Sequence, residues 1–344
     1  LVIETVTTNR IPRKRSDVLL ITSLFVSLFV LLMSLVASLT YGAADISLSQ
    51  VWSGLIAFDG STEHLIIRAV RLPRSLIAIF VGAAVAVAGT LMQGLTRNPL
   101  ADPGILGINA GAAIAVVMTS FIFDTSSPIV FAWSAFLGAG VAAVTVYLLG
   151  SLGRGGMTPL NITIAGAALT AFLSSITTGI LILSQRTLDE IRFWLAGSVA
   201  GSDFTLFLQV LPYMAVGLAI AFALSRPITT LSLGEDVARG LGQRTAWVKI
   251  TAAISVVLLA GTSVAVAGPI GFIGLVVPHI VRFFVGFDYR WILPYSAVFG
   301  AILLLVADIG ARLLIKPQEI PVGVMTALFG TPFFIYLARW KVKR

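Results

Sequence analysis

The sequence predicts an all-α, polytopic membrane protein of about ten spanning helices, on three observations. Its 344 residues are 58% hydrophobic and only 11% charged, where a soluble domain carries about a quarter charged residues. Mean hydropathy is +1.00. The apolar residues form unbroken runs, such as 18–39 and 206–224, not the alternation of a barrel strand. A chain with so few charges cannot cover itself in water. A soluble globular domain, a disordered chain and a peripheral membrane protein are therefore excluded.

A helix needs about 20 apolar residues to cross the hydrocarbon. The runs place spans at 18–39, 73–94, 104–123, 129–150, 160–184, 204–224, 247–267, 270–285, 291–310 and 321–338. The first follows a polar stretch carrying Arg10, Arg13, Lys14 and Arg15. It is longer than a signal-peptide core and reads as an uncleaved helix with its amino terminus in the cytoplasm. The eighth is short and reads as tilted or re-entrant. Ten spans return the carboxyl terminus to the cytoplasm. The chain then divides into tails at 1–17 and 339–344 around one transmembrane domain, 18–338.

Charge agrees with that orientation. Of the 23 Lys and Arg, only Arg68, Arg71, Arg74, Arg186, Arg192, Arg312 and Lys316 fall outside. The other sixteen fall inside, the bias of cytoplasmic loops. This accounts for the net charge of +8 without a nucleic-acid partner. The outer connections 42–72 and 187–202 mix apolar and polar residues, as segments lying along the interface do. They serve either to cap the bundle or to dock a partner.

The second span opens with Arg71-Leu72-Pro73-Arg74. Proline suits a first helical position, but arginine is unfavourable at the positive end of a helix. Lipid headgroups, a structural ion pair or an acidic protein partner would each explain Arg71 and Arg74 there. Arg312 is a further outer arginine, four residues after Asp308, a spacing that allows a helical ion pair.

The largest inner loop is 226–246. Ser232-Leu233-Gly234-Glu235 reads as a capping box, followed by a short helix stopped by Gly242. Leu233, Val237 and Leu241 would form an apolar stripe on that helix, suited to a cytoplasmic partner. The remaining interruptions, 98–103 with Pro99 and Pro103 and 157–159 before the fifth span, read as turns.

No catalytic constellation is visible. Cysteine is absent, which excludes disulfides, thiol catalysis and zinc–thiolate sites. There is no phosphate-binding Gly-rich loop, and His64 and His279 alone cannot hold a metal. The word Val85-Ala86-Val87-Ala88-Gly89 recurs as Val264-Ala265-Val266-Ala267-Gly268, in spans of opposite direction. This is a weak sign of an inverted repeat.

Together these segments resemble the FecCD-type permeases of iron-siderophore and cobalamin ABC importers. The matching stretches are Arg71-Leu72-Pro73-Arg74, residues 98–103 with Leu106-Gly107, Leu233-Gly234-Glu235 with Ala238-Arg239 and Leu241-Gly242, residues 271–282, Ala307-Asp308 with Arg312, and Glu319-Ile320-Pro321-Val322-Gly323. Their order covers about residues 68–338. The resemblance implies a non-enzymatic permease in a bacterial inner membrane, carrying a ferric siderophore, with haem or cobalamin as alternatives. It implies a second permease subunit, identical or paralogous, two ATPase subunits holding ATP and magnesium, and a periplasmic or lipoprotein binding protein. The chain itself would need no cofactor or metal.

By matched position, Arg71, Arg74 and Arg312 are implied to dock the binding protein. Leu233, Gly234, Glu235, Val237, Ala238, Arg239, Leu241 and Gly242 are implied to couple to the ATPase. Asn98, Leu100 and Thr158 are implied to gate the cytoplasmic side. A different class, an ion-coupled secondary transporter, would rest on Asp308 as its only intramembrane carboxylate candidate.

Overall fold

The computed structural model describes residues 17–342 apart from 43, 45, 153–157 and 317. The expected amino-terminal tail, apart from Asp17, and the last two residues of the carboxyl tail therefore lie outside the described residues. The described chain is helical throughout. α1 (Asp17–Thr40) and the amphipathic α2 (Leu48–Ile56) lead to α3 (Thr62–Leu65), which runs through a π-helical turn, Ile66–Arg71, into α4 (Leu72–Thr96). A 3-10 turn, Pro103–Leu106, precedes α5 (Ile108–Phe123), followed by α6 (Pro128–Ser151) and α7 (Pro159–Leu183). α8 (Gln185–Leu195) and α9 (Phe204–Ala223) lead to the short α10 (Ser225–Ser232) and α11 (Glu235–Gly240). The last four are α12 (Thr245–Ala267), α13 (Ile273–Val285), α14 (Tyr289–Leu313) and α15 (Val322–Val342).

Ten of these correspond to the ten expected spans. Seven segments are long and apolar enough to cross a membrane unaided, and α5, α13 and the apolar part of α15 are shorter. α4 is the axis of the bundle, because residues 82–94 are almost all small or slender and all but Ala83 are buried. Small residues let helix backbones approach closely in lipid, where no hydrophobic force drives helices together. A Cβ at Gly82 would strike the Gly300 carbonyl of α14, one at Gly89 would strike Gly274 of α13, and one at Gly111 of α5 would strike the Gly138 carbonyl of α6. Gly300→Ala should therefore lower the melting temperature of the solubilised protein, overpacking of this kind costing about 1–3 kcal/mol. Gly140→Ala, where a Cβ meets nothing nearer than 4.0 Å, should leave it unchanged or raise it. Equal effects at the two sites would refute close packing as the reason for these glycines.

α1 and α7 lie at the periphery, only 6% and 11% of their apolar windows being buried. α1 is held to α14 by polar contacts. Tyr295 donates its hydroxyl to the Leu20 carbonyl at 2.6 Å and contacts Ser23 Oγ.

The two halves repeat an order of helix lengths: 25, 16, 24 and 25 residues for α4 to α7, then 23, 13, 25 and 21 for α12 to α15. The recurring Val-Ala word does not occupy equivalent places within it. Residues 85–89 lie inside α4, whereas Gly268 ends α12 at φ +68°.

One local expectation is corrected and another is located more closely. Ser232 does not cap α11. It belongs to α10, where its hydroxyl donates to the Thr229 carbonyl at 2.6 Å. Gly234, at φ +136°, occupies the cap position. The turn at 98–103 is not confined to the membrane surface. Asp102 and Pro103 pack against Gly274 beside the Val85 carbonyl, about halfway along α4, so the chain re-enters the bundle before α5 begins.

Candidate functional site

Three features set apart the two ends of the bundle. At one end, α10 buries Ile228 and Leu231 completely, and α11 buries Ala238. A Cβ on Gly94 of α4 would meet Ile228 and, at 3.0 Å, the Tyr289 ring, so α10 is seated directly on α4. Leu233, Val237 and Leu241 are 69%, 49% and 70% exposed, and nothing in the described chain covers them. Glu235 anchors the helix. It pairs with Lys249 of α12 at 2.7 Å and with Arg239 at 2.8 Å, and accepts from Thr245. The Lys249 hydrogen bond, opposed by desolvation, holds the Glu235 carboxyl below its usual pKa. Gly242 ends the turn at φ +80°. The expected coupling residues thus sort into three exposed apolar side chains, an anchoring ion pair and glycine turns. The expected stripe along one helix is not formed, because Gly234 separates Leu233, at the end of α10, from Val237 on α11.

The expected gate residues lie at the same end. Asn98 Oδ1 accepts from the Leu100 N–H at 3.0 Å, and Thr158 caps α7 by accepting from the Asn161 N–H at 3.2 Å. The Pro99 carbonyl lies 2.7 Å from His279 Nε2 of α13. Thr96 and Arg97 share a cavity of about 40 Å³ with Pro159 and Ile162, so the end of α4 and the start of α7 face each other. Asn98, Leu100 and Thr158 do not line that cavity.

At the opposite end the three arginines are enclosed. Arg71 is 5% exposed and donates to the carbonyls of Leu39 and Thr40, both at 2.7 Å, and to that of Ala44. Arg312 is 3% exposed and donates to the carbonyls of Ser38 and Tyr41 and to Ser38 Oγ. It pairs with Asp308 at 2.9 Å, the helical ion pair that its spacing allows. Asp308 is fully buried and is shared with Arg74 at 2.7 Å; Arg74 also reaches Glu319 at 2.7 Å. The geometry is therefore that of a structural ion-pair network, with Arg74 and Glu319 at its accessible edge. A carboxylate held between two guanidiniums is also poorly placed to relay protons, as the secondary-transporter reading would require.

Sequence reasoning missed two further features. Beside Glu319 opens a bowl of about 410 Å³ lined by Glu190, Asp203, Phe193 and Trp194. Its signal was present in the mixed segment 187–202. In addition, α7 exposes Ser174, Ser175, Thr178 and Gly179 among its apolar residues, a small-residue face of the kind that lets helices approach closely in lipid, the hydroxyls of Ser175 and Thr178 donating to carbonyls one turn back. Its signal was the polar interruption of an otherwise apolar run.

Comparison with known proteins places this architecture. The FecCD transport family model matches residues 30–340. The chain is 54% identical over 312 residues to a Bacillus subtilis (strain 168) protein named "Probable siderophore transport system permease protein YfiZ", covering 91% of this chain and 94% of that one. It is 48% identical over 303 residues to the Bacillus subtilis (strain 168) iron(3+)-hydroxamate import system permease protein FhuB, covering 88% and 79%. A solved structure titled "An inward-facing conformation of a putative metal-chelate type ABC transporter" superposes with a TM-score of 0.81 at 31% identity. That match covers 93% of this chain and 99% of the other.

Proposed function

The chain belongs to the FecCD transport family, and from that premise we propose that it is the membrane-spanning subunit of an ATP-driven importer for ferric siderophores. The names of its relatives speak for iron chelates rather than haem or cobalamin. The chain conducts and does no covalent chemistry. ATP and magnesium belong to two ATPase subunits on the cytoplasmic side, where both termini lie. The observation that carries this reading is the uncovered apolar cluster of Leu233, Val237 and Leu241 around α11, which Glu235 ties to α12. A cluster so placed gives an ATPase a lever on α10 and α12.

The exposed small-residue face of α7 supports a second permease subunit, so that the pathway runs between two bundles instead of within one. Asn98, Leu100 and Thr158 close it on the cytoplasmic side. A binding protein docks over the outer bowl. Arg74 and Glu319 offer it charges, while Arg71 and Arg312 hold the backbone beneath.

The test is uptake by vesicles containing the reassembled complex, supplied with ATP and binding protein but with no ion gradient. Ferric siderophore should accumulate. Accumulation that requires an imposed proton or sodium gradient, with ATP dispensable, would overturn the proposal in favour of a secondary carrier.

A further inference from the structure

The re-entrant segment between α4 and α5 carries a carboxylate without a counter-charge. Asp102 opens the 3-10 turn, and one of its oxygens accepts the Gly104 N–H at 2.8 Å. Among the described residues no Lys, Arg or His pairs with it. An isolated charge at this depth is strongly unfavourable, and such groups are neutralised by a partner.

The surroundings indicate which partner. Asp102 lines a cavity of about 10 Å³ together with Asn109, Ser263 and the end of α12 at Val264 and Gly268. That is room for one water-sized atom. The Asn109 amide has no hydrogen-bond partner among the described residues. Ser263 donates its proton to the Leu259 carbonyl at 2.6 Å, which leaves its lone pairs free to coordinate. α12 stops here because Gly268 leaves the helical region at φ +68°, and a helix carboxyl end carries partial negative charge.

Carboxylate, amide oxygen, hydroxyl and helix end are all donors for a hard cation. One carboxylate balances a single positive charge, whereas a calcium site gathers six to eight oxygens and usually several carboxylates. The geometry points to a half-buried monovalent-cation site formed by Asp102, Asn109 and Ser263, fitting sodium. The ion is a fixed counter-charge that joins the end of α12 to the re-entrant turn. The inference does not rest on the transport reading.

The experiment is thermal unfolding of the solubilised full chain, titrated with sodium chloride against choline chloride at constant ionic strength. Sodium should raise the melting temperature saturably, since a ligand that binds only the folded state stabilises it. Asp102→Asn should abolish the response. Should that variant fail to accumulate, Asn109→Ala and Ser263→Ala remain as probes, each raising the half-saturating sodium concentration by roughly tenfold or more. Identical melting in sodium and choline for the wild-type chain would overturn the inference. The carboxyl would then be protonated or bound to water. A sodium response that survives Asp102→Asn unchanged would overturn it equally.

Discussion

Val237→Asp and Leu241→Asp are each expected to leave the protein folded and abolish the coupling of ATP hydrolysis to uptake. Both side chains are exposed, at 49% and 70%, so the isolated chain loses no packing. In the assembled transporter the same positions would be buried against the ATPase. A carboxylate there must be desolvated, at a cost of several kcal/mol, or the contact opens. Every 1.4 kcal/mol is a factor of ten in affinity, so coupled uptake should fall by roughly a hundredfold or more. Ala238→Asp is the control, because Ala238 is fully buried and its replacement should prevent folding. Measuring melting temperature, ATPase stimulation and uptake on the same preparations separates the two outcomes. Normal coupling in both surface variants would remove α11 as the contact.

The largest loss of stability is expected from Asp308→Ala. It would leave Arg74 and Arg312 facing each other across a fully buried position. Removing one partner of a buried ion pair costs about 3–5 kcal/mol, because the remaining charge is uncompensated. Little folded protein should be recovered, whereas Glu319→Ala, at the accessible edge, should be tolerated. Arg312→Glu separates the two possible roles of the outer arginines. If the side chain is structural, the variant fails in expression or melting. If it docks the binding protein, the variant expresses normally and binds weakly, and wild-type binding weakens as salt screens charges beyond about 8–10 Å.

The spans were legible because an apolar run of membrane length is a local signal, and all ten lie within a few residues of a helix. The apolar character of Leu233, Val237 and Leu241 was legible, but their shared helix was not, because the break at Gly234 puts Leu233 at the end of α10 and only Val237 on α11. The enclosure of Arg71 was not. Its partners are carbonyls at the end of α1, some thirty positions earlier, and a carbonyl has no sequence signature. The re-entry at Asp102 was hidden because Asn, Asp and paired prolines make the same turn at a surface or at depth. The capping box failed through competition. Ser232 already closes the last turn of α10, and Gly234 then leads the chain into α11 in a conformation open to glycine.

The Arg74–Asp308 pair also has a consequence in time. Its members are 234 residues apart, and a ribosome adds about 5–20 residues per second. Arg74 therefore enters the translocon on the order of tens of seconds before its carboxylate is made. During that interval α4 holds an uncompensated cation at its end and must keep it at the headgroup level, where long basic side chains reach water. The outer end of the central helix is thus tied to headgroup level until α14 brings the carboxylate that neutralises it.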